Sequence, residues 1–229
     1  MTVNILVIIP AFNEQESIGS VVRDIPRDLV DEIVVVNNSS TDKTEEEAKR
    51  EGATVLREPR RGYGSACLRG IAYAKTRDPR PDIIVFVDGD YSDHPEQMPR
   101  LVAPIVDDAY DLVIGSRALG QRERGAMTPQ QVFGNWLATT LIRRFYHVRF
   151  TDLGPFRAIR FDKLLALEMV DQTFGWTVEM QLKAAKQGLR CTEVAVDYRK
   201  RIGFSKISGT VGGTVRAGYK IIHTIFRYL

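Results

Sequence analysis

The chain has 229 residues with 44 % hydrophobic and 27 % charged, which excludes a disordered, collagen-like or low-complexity polymer and allows one large domain or two small ones. Two cysteines, Cys67 and Cys191, are too few for a disulfide scaffold or a cysteine-rich zinc site and fit a reducing compartment. The net charge of +3 is unevenly spread: Arg199–Leu229 carries seven basic residues and no acidic one, so the chain divides into a −4 body and a +7 tail, an asymmetry that suggests an anionic partner.

The N-terminal apolar run Val3–Ile9 has no basic residue before it and stops at Pro10, unlike an export signal. No stretch of about 18 apolar residues predicts a transmembrane helix. Strands are expected over Asn4–Ile9, Glu32–Asn37, Ala53–Arg57, Asp82–Asp88 and Asp111–Ser116. Runs such as Ile33-Val34-Val35-Val36 are apolar without alternation, as in strands buried on both faces. Helices are expected between them, over Glu16–Asp24, Asp42–Glu51, Gly64–Lys75 and Pro95–Val106. Ser40 or Thr41 would cap the second, and Pro95 suits the first turn of the fourth. This alternation predicts a parallel α/β sheet. Beyond it, Gly120–Thr128 reads as a mobile loop and Gln130–Tyr146 as an amphipathic helix with Phe133, Trp136, Leu137, Leu141 and Phe145 at helical spacing. A short strand over Phe156–Ile159, helices over Phe161–Val170 and Thr177–Gln187, and a half-buried strand over Arg190–Tyr198 follow. A Gly-, Ser- and Thr-rich stretch then leads to a last helix with one apolar stripe (Val215, Tyr219, Ile222, Ile225, Phe226, Leu229) and one basic stripe (Arg216, Lys220, His223, Arg227).

Ligands of open α/β sheets sit beyond the carboxyl ends of the strands, so polar chemistry is expected at each strand end. The first lacks the Gly-x-Gly-x-x-Gly turn of a dinucleotide site and runs instead into Pro10-Ala11-Phe12-Asn13-Glu14. The second ends in Asn37-Asn38-Ser39-Ser40-Thr41-Asp42-Lys43-Thr44, far more hydrogen-bonding side chains than one helix cap needs. Gly62-Tyr63-Gly64 opens the third helix, where backbone amides could approach an anion or simply turn the chain. The fourth ends in Asp88-Gly89-Asp90, two carboxylates that repel unless a cation joins them; oxygen ligands of this kind suit Mg²⁺ or Mn²⁺ together with substrate phosphates. An Asx-type turn before Pro95 is the plainer alternative. The fifth ends in Gly115-Ser116-Arg117. In the tail, Arg199-Lys200-Arg201 and Ser205-Lys206 bracket Gly203, a pattern suited to phosphate. Regular aromatic interleaving is missing there, so no nucleic-acid partner is expected.

Taken in this order, the motifs resemble family 2 glycosyltransferases of GT-A fold, and more closely their dolichyl- or polyprenyl-phosphate mannosyl- or glucosyltransferase branch. The resemblance implies a single Rossmann-like α/β domain with a mostly parallel central sheet over residues 1–198, a nucleotide-sugar half (1–117) and an acceptor half (118–198), and a basic segment with an amphipathic helix (199–229). It implies that Pro10, Ala11, Asn13, Glu14, Asn37, Asp42 and Gly62 line the nucleotide site with Asp88, Gly89 and Asp90. Asp88 and Asp90 would hold Mg²⁺ or Mn²⁺, with Ser92 or Asp93 as a third ligand. Arg117, Ser205, Lys206 and either Lys200 or Arg201 would contact donor or acceptor phosphate, with Asp88, Asp90 and Arg117 forming the catalytic centre. The implied reaction is inverting transfer of a hexose from a UDP-glucose-like donor or GDP-mannose to a polyprenyl phosphate. Such an acceptor needs no strong base; an alcohol acceptor would need one, for which Asp152 and Glu179 are the candidates. A lipid acceptor puts the enzyme peripherally at the cytoplasmic face of a membrane, with the amphipathic helices apolar side down; a homo-oligomer is left open. The alternatives are a small soluble or glycan acceptor and an inactive nucleotide-sugar-binding scaffold.

Overall fold

A computed structural model describes residues 3–203 and 211–228. Seven strands form one sheet in the order β3-β2-β1-β4-β6-β5-β7. These are β1 (Ile5–Ala11), β2 (Glu32–Asn37), β3 (Thr54–Arg57), β4 (Ile83–Phe86), β5 (Leu112–Ser116), β6 (Arg157–Arg160) and β7 (Cys191–Ala195). All pairings are parallel except those of β6, which runs antiparallel between β4 and β5, with Ala158 opposite both Val85 and Val113.

The unbroken apolar runs reflect burial on both faces. Leu6, Ile8, Val34, Val36, Ile84 and Phe86 point to one layer, containing α3 (Tyr63–Ala74), α5 (Pro129–Tyr146), α6 (Phe161–Ala166), α7 (Trp176–Lys186) and α8 (Val211–Arg227). Their neighbours Ile5, Val7, Ile9, Ile33, Val35, Ile83 and Val85 point to the other, containing α1 (Ile18–Asp24), α2 (Thr44–Arg50) and α4 (Met98–Asp107). Alternate side chains of one strand thus feed two cores, as the strand period of two requires. No helix of the described residues is long and apolar enough to cross a membrane.

Three local expectations are corrected. Neither Ser40 nor Thr41 caps α2: Lys43 occupies that position, and Asp42 Oδ1 accepts from Thr44 N at 3.0 Å. The helix expected to reach Val170 stops at Ala166, because the Val170 and Asp171 amides turn instead to the Glu179 carboxylate. The 120–128 loop, expected to be free, is tied down: Tyr198 N donates to Gln121 O at 2.8 Å and Glu123 N to Tyr198 O at 2.9 Å.

Candidate active site

The carboxyl ends of β1, β2, β4 and β5 share one edge of the sheet, and β6 starts from that edge. A Cβ on Gly89 would lie 3.3 Å from Pro10 O and 3.5 Å from Ala11 Cβ, so glycine lets the β4 loop seat against the end of β1. Ser17 Oγ donates to Gly89 O at 2.8 Å and fixes that contact. The β1 and β2 loops are knitted together: Thr41 N donates to Asn13 Oδ1, Asn13 N to Ser40 Oγ, Glu14 N to Thr44 Oγ1 and Gln15 N to Asp42 Oδ2. Asn37 Oδ1 accepts from Ser40 N at 2.9 Å. Asn13 and Ser39 hold left-handed backbone, with φ of 54° and 64°, in the middle of this lacing.

Asp88, Asp90 and Asp93 crowd together under these loops. Asp88 Oδ1 and Asp93 Oδ1 are buried and accept no hydrogen bond from any described residue. Burial first, and the Asp90 charge second, push the Asp88 carboxyl up to about 7. Burial and the charges of Asp88 and Asp90 likewise hold the Asp93 carboxyl well above the ordinary carboxylate range. Asp90 is better supplied: Oδ1 accepts from Ser92 N at 2.9 Å and Ser92 Oγ at 2.5 Å, and Oδ2 faces Arg201 Nη2 at 2.9 Å. Among the described residues no three His, Cys, Asp or Glu side chains form a closed metal cage.

Arg201 arrives from far along the chain because residues 198–202 run beside the loop after β4. Arg199 N donates to Ser92 O and Ile202 N to Asp90 O, both at 3.0 Å. The Arg199 guanidinium lies 3.5 Å from the Tyr91 ring centroid and donates to Tyr91 O and Asp93 O. This clamp turns Arg201 toward Asp90 and toward Glu14 Oε1, at 3.5 Å. Lys200 points away: its amide donates to Glu123 Oε2, and its Cε lies beside Gly125. Of the two competing basic residues, Arg201 is the one brought to the carboxylates. Ser205 and Lys206 lie outside the described residues.

Three residues expected at the site are committed to protein partners. Gly62 N donates to Asn38 Oδ1 at 2.8 Å, while Gly64 N and Ser65 N donate to the Thr173 and Gln172 carbonyls, so the first amides of α3 have no anion to meet. The glycines are there for backbone packing: a Cβ would lie 2.1 Å from Gln172 O at Gly62 and 2.0 Å from Asp171 O at Gly64. Glu179 is not a free carboxylate. Its fully buried carboxylate accepts from Val170 N, Asp171 N and Tyr228 Oη and pairs with Lys183 Nζ at 2.7 Å. Asp152 is not a free base either. Arg117 Nε and Nη2 each donate to it at 2.7 Å and Arg117 N at 2.8 Å. Burial alone would raise the Asp152 carboxyl, but the Arg117 charge and these hydrogen bonds outweigh it and hold it below its ordinary value. Arg117 itself is thereby fixed at the end of β5, its guanidinium 5.0 Å from the Tyr198 ring centroid.

Two residues at the site escape sequence reasoning. The Tyr63 hydroxyl is buried beside Asp88 without a conventional hydrogen bond. Its one sequence signal is its place between the two glycines. Arg157, fully buried, donates to the Leu153, Gly154 and Thr177 carbonyls, and burial pulls its guanidinium down to about 10. It braces the loop that carries Asp152.

A mostly parallel α/β sheet with acidic and basic groups gathered at one edge fits a glycosyltransferase, and the comparisons agree. The profile of glycosyl transferase family 2 matches residues 6–167. The chain belongs to this family and is a glycosyltransferase of GT-A fold. An uncharacterized glycosyltransferase of Mycobacterium tuberculosis is 36 % identical over 216 residues, covering 93 % of this chain and 94 % of the relative. The dolichyl-phosphate hexose transferase of Haloferax volcanii is 32 % identical, covering 92 % and 89 %. The undecaprenyl-phosphate mannosyltransferase of Micrococcus luteus is 31 % identical, covering 91 % and 89 %. Among solved structures, glucosyl-3-phosphoglycerate synthase of M. tuberculosis, in complex with Mn²⁺, uridine diphosphate and phosphoglyceric acid, shares the fold with a TM-score of 0.78 at 23 % identity, over 98 % of this chain and 78 % of that one.

Proposed function

We propose that this glycosyltransferase moves a hexose from a nucleotide diphosphate sugar, UDP-glucose-like or GDP-mannose, to a polyprenyl phosphate, with inversion. The observation that carries the reading is that neither candidate base is free among the described residues. Asp152 is committed to Arg117, and Glu179 to two amides, a phenol and a lysine. An alcohol acceptor must lose a proton as it attacks. A phosphate monoester has its second pKa near ~6 and is already ionised at neutral pH. Relatives named for undecaprenyl-phosphate and dolichyl-phosphate transfer, aligned over most of their length, support the same acceptor class.

In this reading residues 1–117 bind the donor and 118–198 the acceptor, while the start of 199–229 folds back onto the donor side through Arg201. The β1 and β2 loops, with Asn13, Glu14, Asn37 and Asp42, enclose the nucleoside. The unpartnered oxygens of Asp88 and Asp93 are hard donors that fit Mg²⁺ or Mn²⁺, with Asp90 beside them; Ser92, committed to Asp90, is the weaker third ligand. When bound, the cation neutralises the leaving diphosphate. Arg201 adds positive charge at the same place, and Arg117 orients phosphate from the β5 side. The acceptor phosphate oxygen forms the new bond to the anomeric carbon from the face opposite the departing nucleoside diphosphate, whose bond to that carbon breaks.

The test is transfer of labelled hexose from UDP-glucose and GDP-mannose to a detergent-dispersed polyprenyl phosphate with Mg²⁺ or Mn²⁺. Product is expected with one donor, and Asp90→Ala should abolish both product and cation-dependent nucleotide binding. Transfer to soluble alcohols but never to a lipid phosphate would overturn the assignment.

A further inference from the structure

Helices α5 and α8 each carry two apolar faces, although a helix needs only one to join a core. The inner faces are accounted for: Ala138, Ile142 and Ile225 are buried, and Tyr146 Oη donates to Ile225 O at 2.7 Å. The outer faces are not. Phe133 is 60 % exposed, Trp136 58 % and Phe226 50 %. The rings form two pairs: Phe133 lies 5.7 Å from Trp136, and further along α5 Phe145 meets Phe226 edge to face at 5.6 Å, joining one helix to the other along an α5–α8 ridge. Clustered exposed aromatic side chains of this kind mark an interaction surface.

Charge identifies the partner. Not one Asp or Glu occurs from Gly125 to Thr151 or from Arg199 to the end of the chain, although the protein has 29 acidic residues. Arg143, Arg144, Arg149 and Arg227, all exposed, flank the rings. A protein interface would be expected to mix both signs at its rim. A second copy would meet an equally acid-free face and be repelled. Aromatic rings with Lys and Arg and no carboxylate are the composition of a bilayer–water interface.

The ridge also borders the site. Asn135, between Phe133 and Trp136, donates to Thr151 O at 3.0 Å and accepts from Leu153 N at 2.9 Å, gripping the chain on both sides of Asp152 and hence of Arg117. On α8, Lys220 pairs with Asp171 at 2.8 Å, in the loop that closes over Gly64.

We propose that the α5–α8 ridge is the surface on which this enzyme rests against an anionic bilayer, with its rings among the headgroups and its arginines against anionic lipid. The proposal rests on the lipid-phosphate acceptor reading and gives it a geometry: a phosphate at the membrane surface meets the Arg117 side of the site.

The test is co-sedimentation with vesicles of phosphatidylcholine alone and of phosphatidylcholine with phosphatidylglycerol, alongside tryptophan emission. The chain has two tryptophans, and Trp176 is fully buried, so a blue shift on vesicle addition reports Trp136. Binding to phosphatidylglycerol vesicles with a blue shift is expected, weakened by salt. F133A/W136A and F145A/F226A, checked for folding by thermal unfolding, should each lower the partition coefficient by about tenfold or more while leaving transfer to detergent-dispersed lipid phosphate unchanged. Failure of the folded wild type to bind either vesicle, with detergent transfer intact, overturns the ridge and leaves the reaction standing. Vesicle binding lost in both variants, with no transfer to any lipid phosphate, keeps the ridge and removes the reaction. Variants that dissociate a dimer but still bind vesicles as wild type does would assign the ridge to a second copy and overturn the proposal.

Discussion

Asp152→Asn separates a structural carboxylate from a catalytic one. In the wild type Asp152 is 1 % exposed and the Arg117 side chain 12 % exposed, and the carboxylate receives three donors from Arg117. An amide offers one acceptor oxygen and turns an NH₂ toward the guanidinium, leaving a buried cation without its counter-charge. Breaking one partner of a buried pair costs about 3–5 kcal/mol. The Tyr198 ring still faces the guanidinium at 5.0 Å, so the low end, about 3 kcal/mol, is expected here. At roughly 2–4 °C per kcal/mol for a chain of this size, Tm should fall by about 6–12 °C. R117M/D152L, which removes both charges, should recover most of that loss. The pH dependence has a defined sign. A carboxyl held below its ordinary value stabilises the fold above the unfolded-state pKa of ~3.9 and loses that contribution as pH falls through the depressed value. The wild type should therefore show a steeper acid limb of stability than either variant. Loss of a general base would cost about 10²–10⁴-fold in rate. Transfer by Asp152→Asn, measured well below its Tm, should instead fall by less than about tenfold. An unchanged Tm with transfer reduced more than about a hundredfold would refute the structural role and restore Asp152 as the base.

Gly64→Ala places a methyl 2.0 Å from Asp171 O and 2.8 Å from two backbone carbons, none of which can swing aside like a side-chain tip. It should destabilise the fold by about 2–3 kcal/mol in urea titration, and an unshifted midpoint would show that the 171–172 loop yields freely. Burial pushes the Cys191 thiol up to about 12 and the Cys67 thiol well above its ordinary value. Both should resist iodoacetamide at pH 8 in the native protein and react fully in denaturant, with the native Cys191 rate climbing as pH approaches its raised pKa. Rapid native labelling at pH 8 would contradict the burial of these thiols.

All seven strands are legible in the sequence, with ends displaced by a few residues: the central ones because burial on both faces leaves an unbroken apolar run, and the half-buried edge strand β7 through its alternation. The direction of β6 leaves none. Ala158 and Ile159 are buried like the residues of a parallel strand, and only the pairing with Val85 and Val113 reveals the reversal. The site divides the same way. Asp88 and Asp90 follow a strand, and their position at the sheet edge is a local property. The commitments of Glu179 depend on Tyr228, 49 residues away, and those of the α3 amides on the 172–173 carbonyls. Spacing carries no information about partners so distant. The choice between Lys200 and Arg201 likewise turns on backbone bonds to the loop after β4, which settle the side-chain alternation.

The place of β6 in the sheet has a consequence for biosynthesis. β5 is translated next after β4 but cannot lie against it, because that slot belongs to a strand not complete until residue 160. A nascent chain emerging from the ribosome therefore presents the open edge of β4, Ile-Ile-Val-Phe, while the next 70 or so residues are made. An unpaired apolar edge is a template for self-association. Stalling or truncation between β5 and β6 should thus yield aggregates rather than a smaller stable enzyme, and this interval is where a holding chaperone would be of most use.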